Sequence, residues 1–256
     1  MWVYDKRTGR TPTCKSVKSI AWALDYYAQE KDDGSLDTDT LEHNLATNID
    51  TKAAELIAGL DHLAAQLTLN EEQRGLLAFF IALSLTRVPS FRDVVRNFYS
   101  QIAQYTAEFV GLRMWLGPGS MPKLKAEAKE WVTLKHMIDG ARHIASSLVA
   151  KNWQFFRAPN GATFITSDNP VVFNGVAPAH PESDVVMALT KRLSIVCTPR
   201  SNGVLHPVFD TPRQQVKSMN ATIAKGARTR IFASESSAGL ERLAKKYSRF
   251  EQKIAT

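Results

Sequence analysis

The feature that most constrains this chain is a change of texture at Asn152. Before it, apolar residues recur at three- and four-residue steps over long stretches, the period of amphipathic helices. After it, they fall into short β-rich runs separated by turn residues. Helices segregated from strands in this way predict an α+β architecture: a central bundle of long helices beside a small, mostly antiparallel sheet. The sheet is expected to come from the C-terminal third and an N-terminal hairpin.

Leu41, Leu45, Ile49, Ala53, Leu56, Leu60 and Leu63 mark one long helix from Leu41 to about Leu67. Thr68 and Glu71 have the spacing of a capping box for the next helix, over about 71–87. That helix is apolar on nearly every face and is expected at the centre. Pro89 ends it, and Ser90 with Asp93 starts another that runs to about Trp115. Gly117-Pro118-Gly119 breaks the chain before a fourth long helix over about 122–150.

Strand signals flank this helical middle. Trp2-Val3-Tyr4-Asp5 alternates and runs into a turn at Lys6-Arg7-Thr8-Gly9, and Thr13 to Val17 completes a hairpin. Residues 31–40 are a polar, acidic loop ending in helix-capping residues. Beyond Asn152 the extended runs are Trp153–Phe156, Thr163–Thr166, Val171–Phe173, Val185–Leu189 and Leu193–Cys197. A helix near 211–226, a strand at Thr229–Ala233 and a basic helix from Ala238 close the chain. The whole reads as a single α+β domain over 1–256: a helical middle at about 37–150, a β-rich part at about 153–233, and the basic helix at about 236–253.

Charge is unevenly placed. Residues 211–256 hold ten Lys or Arg against three Glu, the whole of the formal net charge of +7. Residues 1–210 hold 22 charges of each sign. A basic end of this kind either binds nucleic acid or another polyanion, or is simply a solvated helix face. Cys14 and Cys197 are far apart and form no C-x-x-C pattern, which points to free thiols and a reducing compartment. The N-terminus lacks the apolar core of a secretory signal. The most apolar run, Leu76 to Leu85, is about half the roughly 20 residues that cross a bilayer. A cytoplasmic protein with no membrane partner is expected.

Three places carry chemistry-bearing residues. Ser167-Asp168-Asn169-Pro170 lies between two apolar runs. It reads either as a tight turn, with Asp and Asn bonding nearby backbone and Pro fixing φ, or as a carboxylate and an amide presented at a strand end. Arg87 and Arg92 bracket the joint between two helices, where a cap or an anion site both fit. His136, Asp139 and His143 share a helix face, although metal-binding helices usually space their ligands as H-x-x-x-H or E-x-x-H. A packed or surface pair is the plainer reading, and no metal is assigned. His43 and His62 are isolated. Neither G-x-S-x-G, Walker A, G-x-G-x-x-G, H-E-x-x-H nor a kinase signature occurs, which removes the easily recognised hydrolases and nucleotide-binding folds.

Taken together, Trp2-Val3-Tyr4-Asp5-Lys6, the helix start near Leu41-Glu42 and Arg87-x-Pro89-x-x-Arg92 resemble a bacterial family known as domain of unknown function 4238. The likeness continues through Trp153, Phe164-Ile165-Thr166-Ser167-Asp168-Asn169-Pro170, Asn220-x-x-Ile223-x-x-x-Ala227 and Ile231-Phe232. Members usually begin with a histidine-tyrosine-valine-proline stretch, and this chain starts downstream of it. The resemblance brings no activity or cofactor, but it raises the turn segment and the arginine pair as candidates. Two functional classes follow. One is a hydrolase or nuclease with Asp168 as acid/base or metal ligand, Asn169 and Ser167 beside it, and Arg87 and Arg92 binding phosphate. The other is a non-catalytic binding protein for a polyanion or a protein partner, using the basic C-terminal region.

Overall fold

The computed structural model describes residues 1–9, 11–20, 29–30, 36–37, 40–61, 66–67, 69–109, 130–199 and 206–248. In chain order the strands and helices begin with β1 (Trp2–Asp5), β2 (Thr13–Cys14), β3 (Gln29–Glu30) and β4 (Leu36–Asp37). Then come α1 (Thr40–Leu45), α2 (Thr51–Asp61), β5 (Gln66–Leu67), α3 (Glu71–Thr86), α4 (Pro89–Phe109) and α5 (Glu130–Ala150). The last part holds β6 (Asn152–Arg157), β7 (Thr166–Ser167), β8 (Val171–Asn174), β9 (Asp184–Ala188), β10 (Leu193–Thr198) and β11 (His206–Asp210). It closes with α6 (Arg213–Gly226), β12 (Arg230–Ala233) and α7 (Ala238–Lys246). The fold is mixed α+β.

The single expected sheet is two among the described residues, apart from a separate two-stranded pair of β3 and β4. The larger has the order β11-β6-β10-β9-β8, with β5 added beside β11. The smaller has the order β2-β1-β12-β7. Pairing is antiparallel except between β11 and β6, which run parallel in the register Val208↔Phe155. Strand β11 is absent from the expected runs because Pro207 sits inside it, and proline weakens a strand signal. The N-terminal hairpin forms, with Trp2 opposite Cys14, but its second arm is only Thr13–Cys14 because Val17 opens a 3-10 turn; β1 then pairs with β12, with Trp2 opposite Ala233.

Helices α2, α3 and α5 cover one face of the larger sheet. Leu77, Ile81, Leu83, Met137 and Leu148 are fully buried there against Trp153, Phe155, Leu193 and Ile195. Each such side chain contributes about 1.5–3 kcal/mol by leaving water. Helix α3 occupies the central position that its all-round apolar sequence predicts, with Leu77, Ala78 and every residue from Ile81 to Thr86 buried. The helix expected over 41–67 divides instead into α1, one π turn at Ala46–Asp50, and α2, and its expected end at Gln66–Leu67 is strand β5. In the wide turn Thr51 Oγ1 donates to the Ala46 carbonyl at 2.8 Å. The cap of α3 also differs: Asn70 accepts from the Gln73 amide at 2.8 Å while the Gln73 side chain accepts from the Asn70 amide. Thr68 lies outside the described residues, as do Leu63, Trp115, the break at Gly117–Gly119, the expected helix start at 122, and residues 249–253 of the basic helix.

Helix α6 buries Val216, Asn220, Ile223 and Ala224 on one stripe between the two sheets. Asn220 Oδ1 accepts from the Ile165 amide at 3.1 Å, and its Nδ2 donates to the Thr163 carbonyl at 2.9 Å. An amide side chain thus acts as the partner that a neighbouring strand would supply. That is why the expected strand at Thr163–Thr166 shrinks to β7. No single described helix is long and apolar enough to cross a membrane; α3 and Pro89–Tyr99 of α4 together have the length and composition of a span but are bent by 66°.

Candidate functional site

Two of the motifs, the β1 end at Lys6 and the Ser167–Asn169 turn, meet at one place, the link between α6 and β12 at residues 226–230. Lys6, 1% exposed, follows β1 and donates its ammonium to the Ala227 carbonyl. Asn169 Nδ2 donates to the Gly226 carbonyl at 3.1 Å. The open carbonyls at the C-terminal end of α6 thereby gain donors from two distant segments. Asp168 accepts at Oδ1 from the Arg228 amide at 2.9 Å, and at Oδ2 from the amides of Thr229 at 2.8 Å and Arg230 at 3.0 Å. Thr229 Oγ1 adds a fourth donor at 2.5 Å. In return the Asp168 amide donates to the Arg230 carbonyl at 3.1 Å.

Ser167 and Asn169 lock the turn itself. Ser167 Oγ donates to the Asn169 carbonyl at 2.8 Å and accepts from its amide at 3.2 Å. Both residues are buried, at 5% and 4% exposure. Of the two readings of this segment the geometry favours the turn, with one amendment. The carboxylate is held by a link sixty residues later rather than by its own backbone. Four donors already surround it, so a metal or a substrate proton at Asp168 would have to displace them.

The arginine corner divides. Arg87, at the end of α3, sets Nη1 at 2.9 Å from both oxygens of Asp50, which the π turn carries to it. Its guanidinium also stands 5.8 Å from the Phe80 ring centre. Arg92 turns Nε and Nη2 out of solvent on α4. Its neighbour Asp93 reaches the hub, meeting Arg228 Nη1 at 2.8 Å. The corner and the turn segment are therefore joined through Asp93, which the sequence marks only as part of a helix start, and Arg228, which it does not mark. A basic residue inside a helix-to-strand link and an acid near the start of a helix are too common to signal such a pair.

On α5, His136 hydrogen-bonds through Nε2 to the Tyr99 hydroxyl, and Asp139 pairs with Arg142 at 3.3 Å. His143 is exposed. Among the described residues no group of three His, Cys, Asp or Glu stands ready to hold a metal. His43 is exposed on α1, and His62 lies outside the described residues.

A second buried polar group sits at the far end of α5. Lys151 donates to the carbonyls of His180, Pro181 and Ser183 at 2.7–2.8 Å. Arg74 donates to the carbonyls of Val149 and Lys151, with its guanidinium 4.4 Å from the Trp153 ring centre. Burial lowers the Lys151 pKa, against the pull of Cys197, Asp184 and Glu182. Burial pushes the Cys197 thiol up to about 12, although Arg74 and Lys151 pull the other way. A thiol so held is inert as a nucleophile.

On α6, β12 and α7 the side chains of Arg213, Lys217, Lys225, Arg230, Arg242, Lys245 and Lys246 are exposed. Against them stand Glu235, which is exposed, and Glu241, which is half-buried. A cleft opens beside this surface, between the turn after β1 and α7, lined by Tyr4, Asp5, Gly9, Thr11, Glu241, Ala244 and Lys245.

In comparisons with known proteins, residues 1–237 match the model of the family described as "Protein of unknown function (DUF4238)". No curated protein and no solved structure matches the chain.

Proposed function

The chain belongs to the DUF4238 family of proteins of unknown function, and we propose that it is a non-catalytic binding protein for a phosphate polyanion, nucleic acid above all. The observation that carries this reading is the charge on α6, β12 and α7: seven exposed cations against two carboxylates. They project from packed elements, so a polyanion meets a preformed surface and releases its counterions on binding. A hydrolase or nuclease centred on Asp168, Asn169 and Ser167, with Arg87 and Arg92 on phosphate, has less support. Two of those groups are buried, Asp168 is enclosed by four donors, and Arg87 is closed on Asp50. The cytoplasm, where nucleic acid is abundant and thiols stay reduced, is the compartment this reading requires.

The test is fluorescence anisotropy with labelled mixed-sequence DNA and RNA, titrated with salt. Tight binding at low salt, falling linearly on a log–log plot, is expected. Reversing three exposed charges together, Lys217→Glu, Arg242→Glu and Lys246→Glu, is expected to weaken binding at least about tenfold at low salt. The slope should flatten by about 0.7–0.9 for each phosphate that the variant no longer neutralises. Absence of binding by the unaltered chain at low salt would overturn the proposal.

A further inference from the structure

Two arginines meet on one exposed turn beside the larger sheet. Residues 158–162 follow β6, and Asn160 and Gly161 at the tip of the turn are exposed. Arg192, in the turn between β9 and β10, donates through Nη1 to Asn160 Oδ1 at 3.0 Å. Arg213, the first residue of α6, donates through Nη2 to the Asn160 carbonyl at 3.0 Å. A Cβ on Gly161 would stand only 3.0 Å from that same Nη2, so the guanidinium rests against the backbone of the turn. The two turns are fixed to each other: the Ala158 amide donates to the Arg192 carbonyl at 2.8 Å, and the Phe164 amide to the Lys191 carbonyl at 2.9 Å.

Two like charges that converge on one neutral residue repel each other, and an anion beside them would relieve the repulsion. The described residues supply none. Neither guanidinium pairs with a carboxylate among them, and α6 has no acid in its first turn. Asp210, three residues before Arg213, lies 4.0 Å from Arg157 Nη1 instead. Lys191, next to Arg192, is exposed and adds a third cation. Each guanidinium commits one nitrogen to Asn160 and keeps donors that suit the oxygens of a phosphate.

An aromatic ring is exposed close by. Phe209 on β11 stands opposite Phe156 on β6, and their rings stack with centres 5.4 Å apart and planes tilted by 29°. Phe156 is buried in a cluster with Ala158, Phe164 and Val216, and Val216 lies one turn into α6 from Arg213. The stacked pair is therefore on the side of the sheet that carries α6 and the Asn160 turn. Phe209 still leaves 44% of its surface in water. Four residues separate it from Arg213, a reach of at most about 14 Å. An exposed ring beside cations without carboxylate partners is how single-stranded nucleic acid is held, its bases on the ring and its phosphates on the cations.

We propose that a single strand of nucleic acid crosses this place, with one base stacked on Phe209 and nearby phosphates held by Arg192 and Arg213. A duplex keeps its base faces stacked on one another and has none free for Phe209. This inference rests on the nucleic-acid reading of the cations on α6, β12 and α7, and adds to it a contact that only unpaired bases make.

The experiment is fluorescence anisotropy at fixed salt with three labelled probes of one length: a thymidine strand, an abasic strand with the same phosphates, and a duplex. The thymidine strand is expected to bind about tenfold tighter than the abasic one, the scale of one base stacked on an aromatic ring. Phe209→Leu keeps an apolar group on Phe156 but has no aromatic face. It is expected to erase that difference while leaving the abasic strand and the duplex bound as before, which also shows the variant to be folded. Arg192→Gln should weaken both single strands and flatten their salt slope by about 0.7, the effect of one phosphate. Equal binding of thymidine and abasic strands, equal weakening of all three probes by Phe209→Leu, or an unchanged slope in Arg192→Gln would overturn the assignment. The charge reversals at Lys217, Arg242 and Lys246 would then still be effective if the broader reading holds. Failure of every probe to bind at low salt would overturn both.

Discussion

At the scale of the residue, Asp168 shows how a chemically promising side chain can serve the fold. Its oxygens take three backbone amides and a hydroxyl from residues 228–230. Asp168→Ala leaves those donors without an acceptor in a partly buried place, and is expected to cost about 2–4 kcal/mol. Urea unfolding followed by far-ultraviolet circular dichroism checks this, and a change under about 0.5 kcal/mol would show the clamp to be dispensable. The sequence supports the turn at Ser167–Pro170 because serine, aspartate, asparagine and proline each stabilise turns locally. It shows no sign of the donors, which come from a segment sixty residues away. Lys6 is the same case: nothing local distinguishes it from a solvated lysine, and only the fold places the Ala227 carbonyl against its ammonium.

Elements with a strong period are legible in the sequence, and those fixed by a distant partner are not. Helices α3 and α6 begin and end within about two residues of their sequence expectation, since apolar spacing and Pro89 mark them without outside help. The split of the 41–67 helix is hidden because apolar spacing survives a π turn; what the turn achieves is the meeting of Asp50 with Arg87. The loop between β8 and β9 depends on one backbone position. Gly175 has φ +131°, and a Cβ there would stand 2.2 Å from Ser183 Oγ and 2.9 Å from Ser183 Cα. Gly175→Ala is expected to destabilise the chain by about 3 kcal/mol or more, combining an unfavourable dihedral with a backbone clash. Hydrogen exchange across residues 175–184 should rise in that variant even where the rest of the molecule stays protected. Unchanged exchange there would contradict the close approach.

For the whole molecule, the α+β class is readable from the change of texture at Asn152, whereas the division into two sheets is not. Strand pairing joins segments far apart in sequence, and composition carries no register. The main core also titrates. The Cys197 thiol, raised from 9.0 to about 12, stays protonated in the folded chain while the unfolded chain loses its proton above pH 9.0. Stability from this group is complete below pH 9.0 and is lost as pH rises toward 12, by at most about 1.4 kcal/mol per pH unit. Lys151 acts in the opposite sense: its lowered pKa makes the folded chain release its proton first, so this group adds stability as pH climbs to 10.5. Urea unfolding from pH 8 to 11 separates the two, because Cys197→Ala removes the first and takes away the opposing pull of Cys197 on Lys151. The variant is expected to lose less stability with pH than the unaltered chain, and identical slopes would refute the assignment.

The pairing of β1 with β12 has a consequence in time. Trp2 lies opposite Ala233, so β1 is completed by a strand that is made long after it. At synthesis rates of about 5–20 residues per second, β1 waits about 10–50 s for that partner. Throughout the wait its Val3 and Tyr4 face water, and the 226–230 link that Lys6, Asp168 and Asn169 will clasp does not yet exist. The helical layer with the first strands of the larger sheet can assemble as the chain emerges, while the smaller sheet closes only once β12 has been made.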